Sequence, residues 1–149
     1  MEILNFTSYV LGPKAVSRLR DHQVTQTIRS GKHTIGLLIS RGKVKPNDLI
    51  LVTLDGKPIG HARYLSMNEV NWGEVDLGDA QRGGFDNLSE LDDSLRRGGY
   101  LWLPLEEYTF YRLRFAWDEP KLQEGRGYQP IGPDAGGPFL GIVEGFQRL

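Results

Sequence analysis

Cysteine is absent from the 149 residues. The chain therefore forms no disulfide, has no thiolate nucleophile and offers no cysteine ligand to zinc. Histidine is scarce. His22, His33 and His61 stand at none of the i, i+3 or i+4 spacings that gather imidazoles on a helix, and no HExxH occurs, so no metal site is expected. Phosphate loops of the GxxxxGK[ST] type and GxSxG nucleophile elbows are missing too, and no bound cofactor is expected. No segment approaches the ~18 uninterrupted apolar residues of a membrane span. Met1 to Phe6 shows no basic stretch leading into an apolar one, so no signal peptide is visible and a cytoplasmic location is the expectation. A surplus of charge is also lacking. The net value of −1 argues against coating nucleic acid by bulk charge and leaves only local binding.

What charge there is lies unevenly. Lys14, Arg18, Arg20, Arg29, Lys32, Arg41, Lys43 and Lys45 face the single acid Asp21 over that stretch, while acids gather between Glu69 and Glu119. A neutral protein can carry a basic face in this way. The length suits one domain that buries roughly 68–70% of its unfolded surface. From Pro120 onward eleven of thirty residues are Gly or Pro, too many for a regular element. Residues 1–118 are therefore expected to form the domain. Residues 119–149 are expected to form an extended Gly/Pro-rich arm, and a homodimer contact through this arm is one reading of it.

Within the first 118 residues, Pro13 opens a helix over about 13–21. Thr34–Ser40 is an apolar run whose type periodicity leaves undecided. Leu49–Leu54 reads as a buried strand, Asp55-Gly56 as a hairpin turn, and Ile59 to Leu65 as the return strand. Asn87 caps a helix to Arg97 with Glu90 at the capping-box position and an apolar stripe of Leu88, Leu91 and Leu95. Tyr108–Trp117 reads as a long strand. Thr109, Tyr111, Leu113, Phe115 and Trp117 form its core face, and Tyr108, Phe110, Arg112, Arg114 and Ala116 the other.

The segment with the most chemistry is Thr25-Gln26-Thr27-Ile28-Arg29-Ser30-Gly31-Lys32, followed by His33. As a strand it puts Thr25, Thr27 and Arg29 on one face and Gln26 and Ile28 on the other. Two hydroxyls beside a guanidinium can hold a planar polar group or a phosphate. The alternative is a polar edge strand in contact with water. Among the aromatics, Tyr64, Trp72 and Tyr100 stand in turn-rich or strand-edge contexts where a base could stack, whereas Trp102, within an apolar run, is expected to plug the core.

Three motifs, in order, resemble the ASCH domain, a member of the PUA-like group. Val24-Thr25-Gln26-Thr27-Ile28-Arg29-Ser30-Gly31-Lys32 is similar to the family's K-T-x-T-I-R signature. Lys45-Pro46-Asn47-Asp48 precedes a buried strand, where the family has Gly-Asp. Gly84-Phe85-Asp86-Asn87-Leu88-Ser89-Glu90-Leu91 is similar to its G-F-x-[ST]-x-x-E-L run into a helix. The resemblance covers roughly residues 20–118 and implies an α+β fold, a small PUA-like β-barrel with flanking helices. It also implies a cleft where the Thr/Arg strand meets the loop before the 88–97 helix. Family members bind RNA or modified nucleosides, and some hydrolyse N4-acetylcytidine. Thr27 and Arg29 match, but Val24 stands where the family's amidohydrolases carry lysine, and their glutamate position falls near Gly84. The resulting expectation is a module that binds RNA or a modified nucleoside through Thr25, Thr27, Arg29, Lys32, His33 and Tyr64. No catalytic residue is assigned, and a hydrolase of the same fold, similar to the N4-acetylcytidine amidohydrolases or a ribonuclease, is the alternative.

Overall fold

Burial alternates along Glu2–Phe6, with Leu4 and Phe6 inward, and makes this segment a strand, β1. The computed structural model describes residues 1–30 and 34–118. After β1 come two short helices, α1 (Ser8–Leu11) and α2 (Pro13–Arg20). They meet at Gly12, whose φ of 84° suits glycine. Pro13 sits in the first turn of α2, as the sequence predicts. Strand β2 (Gln26–Ser30) follows. Thr34–Ser40, left open by its periodicity, is a helix, α3.

Strand β3 (Leu49–Leu54) returns through Asp55 (φ 51°) and Gly56 (φ 81°), a pair of left-handed residues that fits the twist of a hairpin. Strand β4 (Lys57–Val70) is twice the expected length. It is long because Leu65 is a bulge: Tyr64 pairs with Phe115 and Ser66 with Arg114, so the strand bends and continues. Two helices come next, α4 (Leu77–Arg82) and α5 (Leu88–Arg97), and the last strand is β5 (Phe110–Trp117).

These strands form one sheet in the order β1-β3-β4-β5-β2, a half-barrel with β1 and β2 as its edges. Strand β1 pairs in parallel with β3, and the remaining pairs are antiparallel. The expected α+β architecture with flanking helices is therefore present. Residues Met1–Asp118 form one compact unit. The predicted arm, and the dimer contact assigned to it, fall outside the described residues. Among the described residues no helix is long and apolar enough to cross a membrane.

Several local expectations change. Asn87 caps α5 by accepting the Glu90 amide at 2.9 Å, but the Glu90 carboxylate reaches past the cap to the Asp86 amide (2.9 Å) and to Lys14 Nζ (2.8 Å). Lys14 and Arg18 both engage Asp86, so part of the basic stretch is neutralised by acids from later in the chain. Leu91 and Leu95 are buried, while Leu88 of the same stripe is exposed. Arg97 donates to the carbonyls of Tyr9 (3.0 Å), Val10 (3.1 Å) and Leu11 (3.3 Å), and so satisfies the end of α1 from a distant helix.

The face assignment of β5 also needs correction. Leu113 and Phe115 are buried as expected, but Phe110, from the opposite set, is fully buried too. Arg112 and Arg114, of that set, turn toward a buried carboxylate and a buried carboxamide instead of water. Strand β5 packs Leu113 and Phe115 into the core on one face, while on the other Asp79 of α4 meets Arg112, which periodicity alone does not register.

Candidate nucleoside or RNA pocket

Strand β2 has neighbours on one side only, so its free edge opens onto a cavity of about 420 Å³. The far walls come from the end of β1 and α1, from Gly83 and Phe85 before α5, and from Leu91, Leu95 and Tyr100. This is where the sequence resemblance implies a cleft. Because the cavity wraps the strand edge, residues from both faces of β2 line it, Gln26 and Ile28 as well as Thr27 and Arg29.

Arg29 carries the pocket's positive charge. Its Nε donates to Thr27 Oγ1 at 3.0 Å, and an Nη donates to the Asn5 carbonyl at 2.8 Å. The guanidinium stands 4.8 Å from the centre of the Phe6 ring, within cation–π range. Burial pulls its pKa down to about 10, which leaves it charged at neutral pH, and the nearby Tyr100 opposes that shift. Tyr100 closes this corner, its hydroxyl accepting the Ser30 amide at 3.0 Å. The pairing of Thr27 with Arg29 on one face is thus as the sequence predicts.

Thr25 and Tyr64 fall elsewhere. Thr25 is outside the pocket; its amide donates to the Arg82 carbonyl (2.9 Å) and its carbonyl accepts from Phe115 (3.1 Å). Tyr64 is 4% exposed, packed in the sheet interior away from the cavity, and burial pushes its phenol up. Trp102, expected in the core, is 88% exposed. Tyr64 belongs to the apolar core, its phenol oxygen accepting from the Met67 main chain, while Arg96 donates to the carbonyls of Tyr100 (2.7 Å) and Leu103 (3.0 Å) in the loop that carries Trp102. Lys32 and His33 lie outside the described residues.

Sequence reasoning missed the pocket's polar floor, Gln26 and Asp79. Gln26 is fully buried and Asp79 is 2% exposed, and they are joined by Gln26 Nε2 to Asp79 Oδ1 at 3.0 Å. Asp76 and Asp79 form a reciprocal capping box at the start of α4. The remaining carboxylate capacity goes to arginines. Arg82 donates to Asp79 Oδ1 and Arg112 to Oδ2, both at 2.8 Å. Burial by itself would raise the Asp79 carboxyl, but hydrogen bonds from Arg112, Gln26, the Asp76 amide and Arg82 hold it well below the usual carboxylate range. The available signal was the D-x-x-D spacing of Asp76 and Asp79 together with two arginines alternating along a strand.

Val24 and Gly84, the positions that the sequence resemblance singles out, lie against each other. Val24 is fully buried and packs on Gly84, where an added Cβ would lie 3.0 Å from Val24 Cγ2. Neither can ionise. Among the described residues no cluster of three or more acids and histidines could hold a metal ion.

No protein-family model matches the chain, and no curated protein matches it. Solved structures do. The ASCH domain of Lactobacillus crispatus JV V101 superposes with a TM-score of 0.51 at 17% identity, over 78% of this chain and 79% of that one. Protein EF3133 of Enterococcus faecalis V583, a DUF984 protein, superposes with a TM-score of 0.53 at 14% identity, over 78% of each chain. In fold, Met1–Asp118 is an ASCH-like domain.

Proposed function

We propose that the chain is an RNA-binding module that receives an unpaired nucleotide, or a modified nucleoside, in the cavity at the free edge of β2. The observation that carries this reading is the pairing of Arg29 with Thr27 over Phe6 at the wall of a 420 Å³ hollow. That volume lies in the range of small-molecule sites, which run to roughly 300–1,000 Å³ and are mostly apolar with a few placed polar groups. Here Phe6, Phe85, Leu91 and Leu95 supply apolar contact. Arg29 and Ser30 supply the polar edge that a base presents to.

Hydrolysis finds less support. Asp79 is the carboxylate on the described pocket wall, and both of its oxygens are already taken by donors. A carboxylate held so far below neutral makes a weak general base.

Filter binding of single-stranded and structured RNA, at low and high salt, tests the reading. Binding at about 50 mM salt that weakens steeply with added salt is expected, because phosphate contacts release counterions. No binding under those conditions, or unchanged binding by Arg29→Ala, overturns it. Products from N4-acetylcytidine or from labelled RNA would instead favour the hydrolase.

A further inference from the structure

Behind the pocket floor, three guanidinium groups converge on one carboxylate and one carboxamide. Arg82 and Arg114 both donate Nε–H to Gln26 Oε1, at 3.1 and 3.0 Å. Arg82 and Arg112 divide the oxygens of Asp79 between them. The three thus lie within one side-chain reach of each other, on α4 and on neighbouring positions of β5.

Their donors outnumber the local acceptors. Arg112 Nε is buried with no hydrogen-bond partner. Among the described residues no acceptor is present for Arg82 Nη1, for Arg112 Nη1 or for either Nη of Arg114. The charge is unbalanced as well. Asp79 neutralises one guanidinium, and counting Asp76 at the start of α4 still leaves a positive surplus. A structural network would not need this third arginine, because Gln26 and Asp79 are already satisfied by two.

The groups remain in contact with solvent. The Arg82 side chain is 37% exposed and the Arg112 side chain 18%. Gly78 makes room for Arg82, since a Cβ there would stand 3.1 Å from Arg82 Nη1. Forked donors without acceptors, in a partly desolvated positive site, suit a phosphate group, which arginine binds through two parallel hydrogen bonds.

The geometry points to a phosphate subsite formed by Arg82, Arg112 and Arg114, which hold the side chains of the pocket floor, Gln26 and Asp79, so that the ligand class is a phosphorylated nucleotide and not a bare nucleoside. This rests on the nucleotide reading of the pocket and adds to it the class of ligand. The phosphate comes either from a nucleotide's terminal monoester or from the backbone of an RNA strand.

Nε–H resonances of the arginines in the full chain test it. Titration with inorganic phosphate at constant ionic strength is expected to shift the Arg82, Arg112 and Arg114 signals saturably and to leave Arg29 in place. No shift among the three overturns the inference. A second arm measures salt dependence with an oligoribonucleotide lacking terminal phosphates. For Arg114→Gln the slope of log affinity against log salt is expected to fall by about 0.7 per lost contact. If that slope is unchanged while a nucleoside 5′-monophosphate binds Arg114→Gln at least tenfold more weakly than wild type, the monoester is the source. If neither moves, the subsite does not exist. Arg114→Lys, which keeps the charge without the fork, is expected to fall between wild type and Arg114→Gln. RNA and nucleoside 5′-monophosphate binding that are both lost in Arg29→Ala and both unaffected by Arg114→Gln would sink the subsite and leave the pocket reading intact.

Discussion

Arg29 on β2 donates to the main-chain carbonyl of Asn5 on β1, 2.8 Å away, and so ties together the two edge strands of the half-barrel. The edges share no ladder. A side chain provides this seam, and it is the same side chain that lines the cavity. The cavity wall and the closure of the sheet therefore meet in one residue.

Replacing Arg29 with alanine is expected to act on both. Hydrogen bonds to charged groups contribute about 1.5–3 kcal/mol each, so a loss of tenfold or more in RNA affinity is expected. Thermal unfolding should show a lower midpoint for the same variant. Arg29→Lys retains charge but cannot reach Thr27 and Asn5 together, and is expected to recover little of either.

Asp79→Asn removes the negative charge that faces Arg82 and Arg112. Breaking a buried pair in this way costs about 3–5 kcal/mol, measurable by denaturant unfolding at pH 7. The pH dependence follows from the depressed carboxyl. An unfolded aspartate titrates near ~3.9, so the stability Asp79 supplies is complete above that value and fades as pH falls from there toward the lower folded value. Wild type should destabilise over that acid interval, and Asp79→Asn should show a flatter profile across it.

Gly60 lies beneath a pair of flat rings. His22 and Trp117 stack with centroids 3.8 Å apart and planes 1° from parallel, and a Cβ on Gly60 would come within 3.0 Å of both. Gly60→Ala is expected to cost about 1–3 kcal/mol, the usual penalty of overpacking. Gly73→Ala, with open space around it, should leave the unfolding midpoint close to wild type.

Trp102→Ala should change stability by less than about 0.5 kcal/mol, as exposed positions generally do. Trp117→Phe, which forfeits the indole bond to the Val24 carbonyl at 2.8 Å, should cost about 1 kcal/mol or more. Chemical denaturation of the two variants side by side checks that Trp102, unlike Trp117, lies outside the core.

Local punctuation made much of the fold legible. Pro13, Asp55-Gly56 and Asn87 mark a helix start, a hairpin and a cap because each acts through its own backbone. The pairing of Thr27 and Arg29 followed from strand alternation in the same way. What escaped depends on partners remote in sequence. Arg112 and Arg114 look solvated until Asp79 and Gln26 are brought opposite them from 33 and 88 residues away. Tyr64 looks available until it is seen to belong to the apolar core. Alternation reports which side of a strand a residue occupies, and says nothing of what covers that side.

A four-residue helix lies far below the length that holds itself together in water. The terminal carbonyls of α1 are completed by Arg97, which arrives with a segment synthesised 86 to 88 residues later. Strand β1 and its following turn therefore cannot mature on the ribosome by themselves. The amino end of this molecule is finished only when α5 docks, and its amides should gain protection from exchange at that moment.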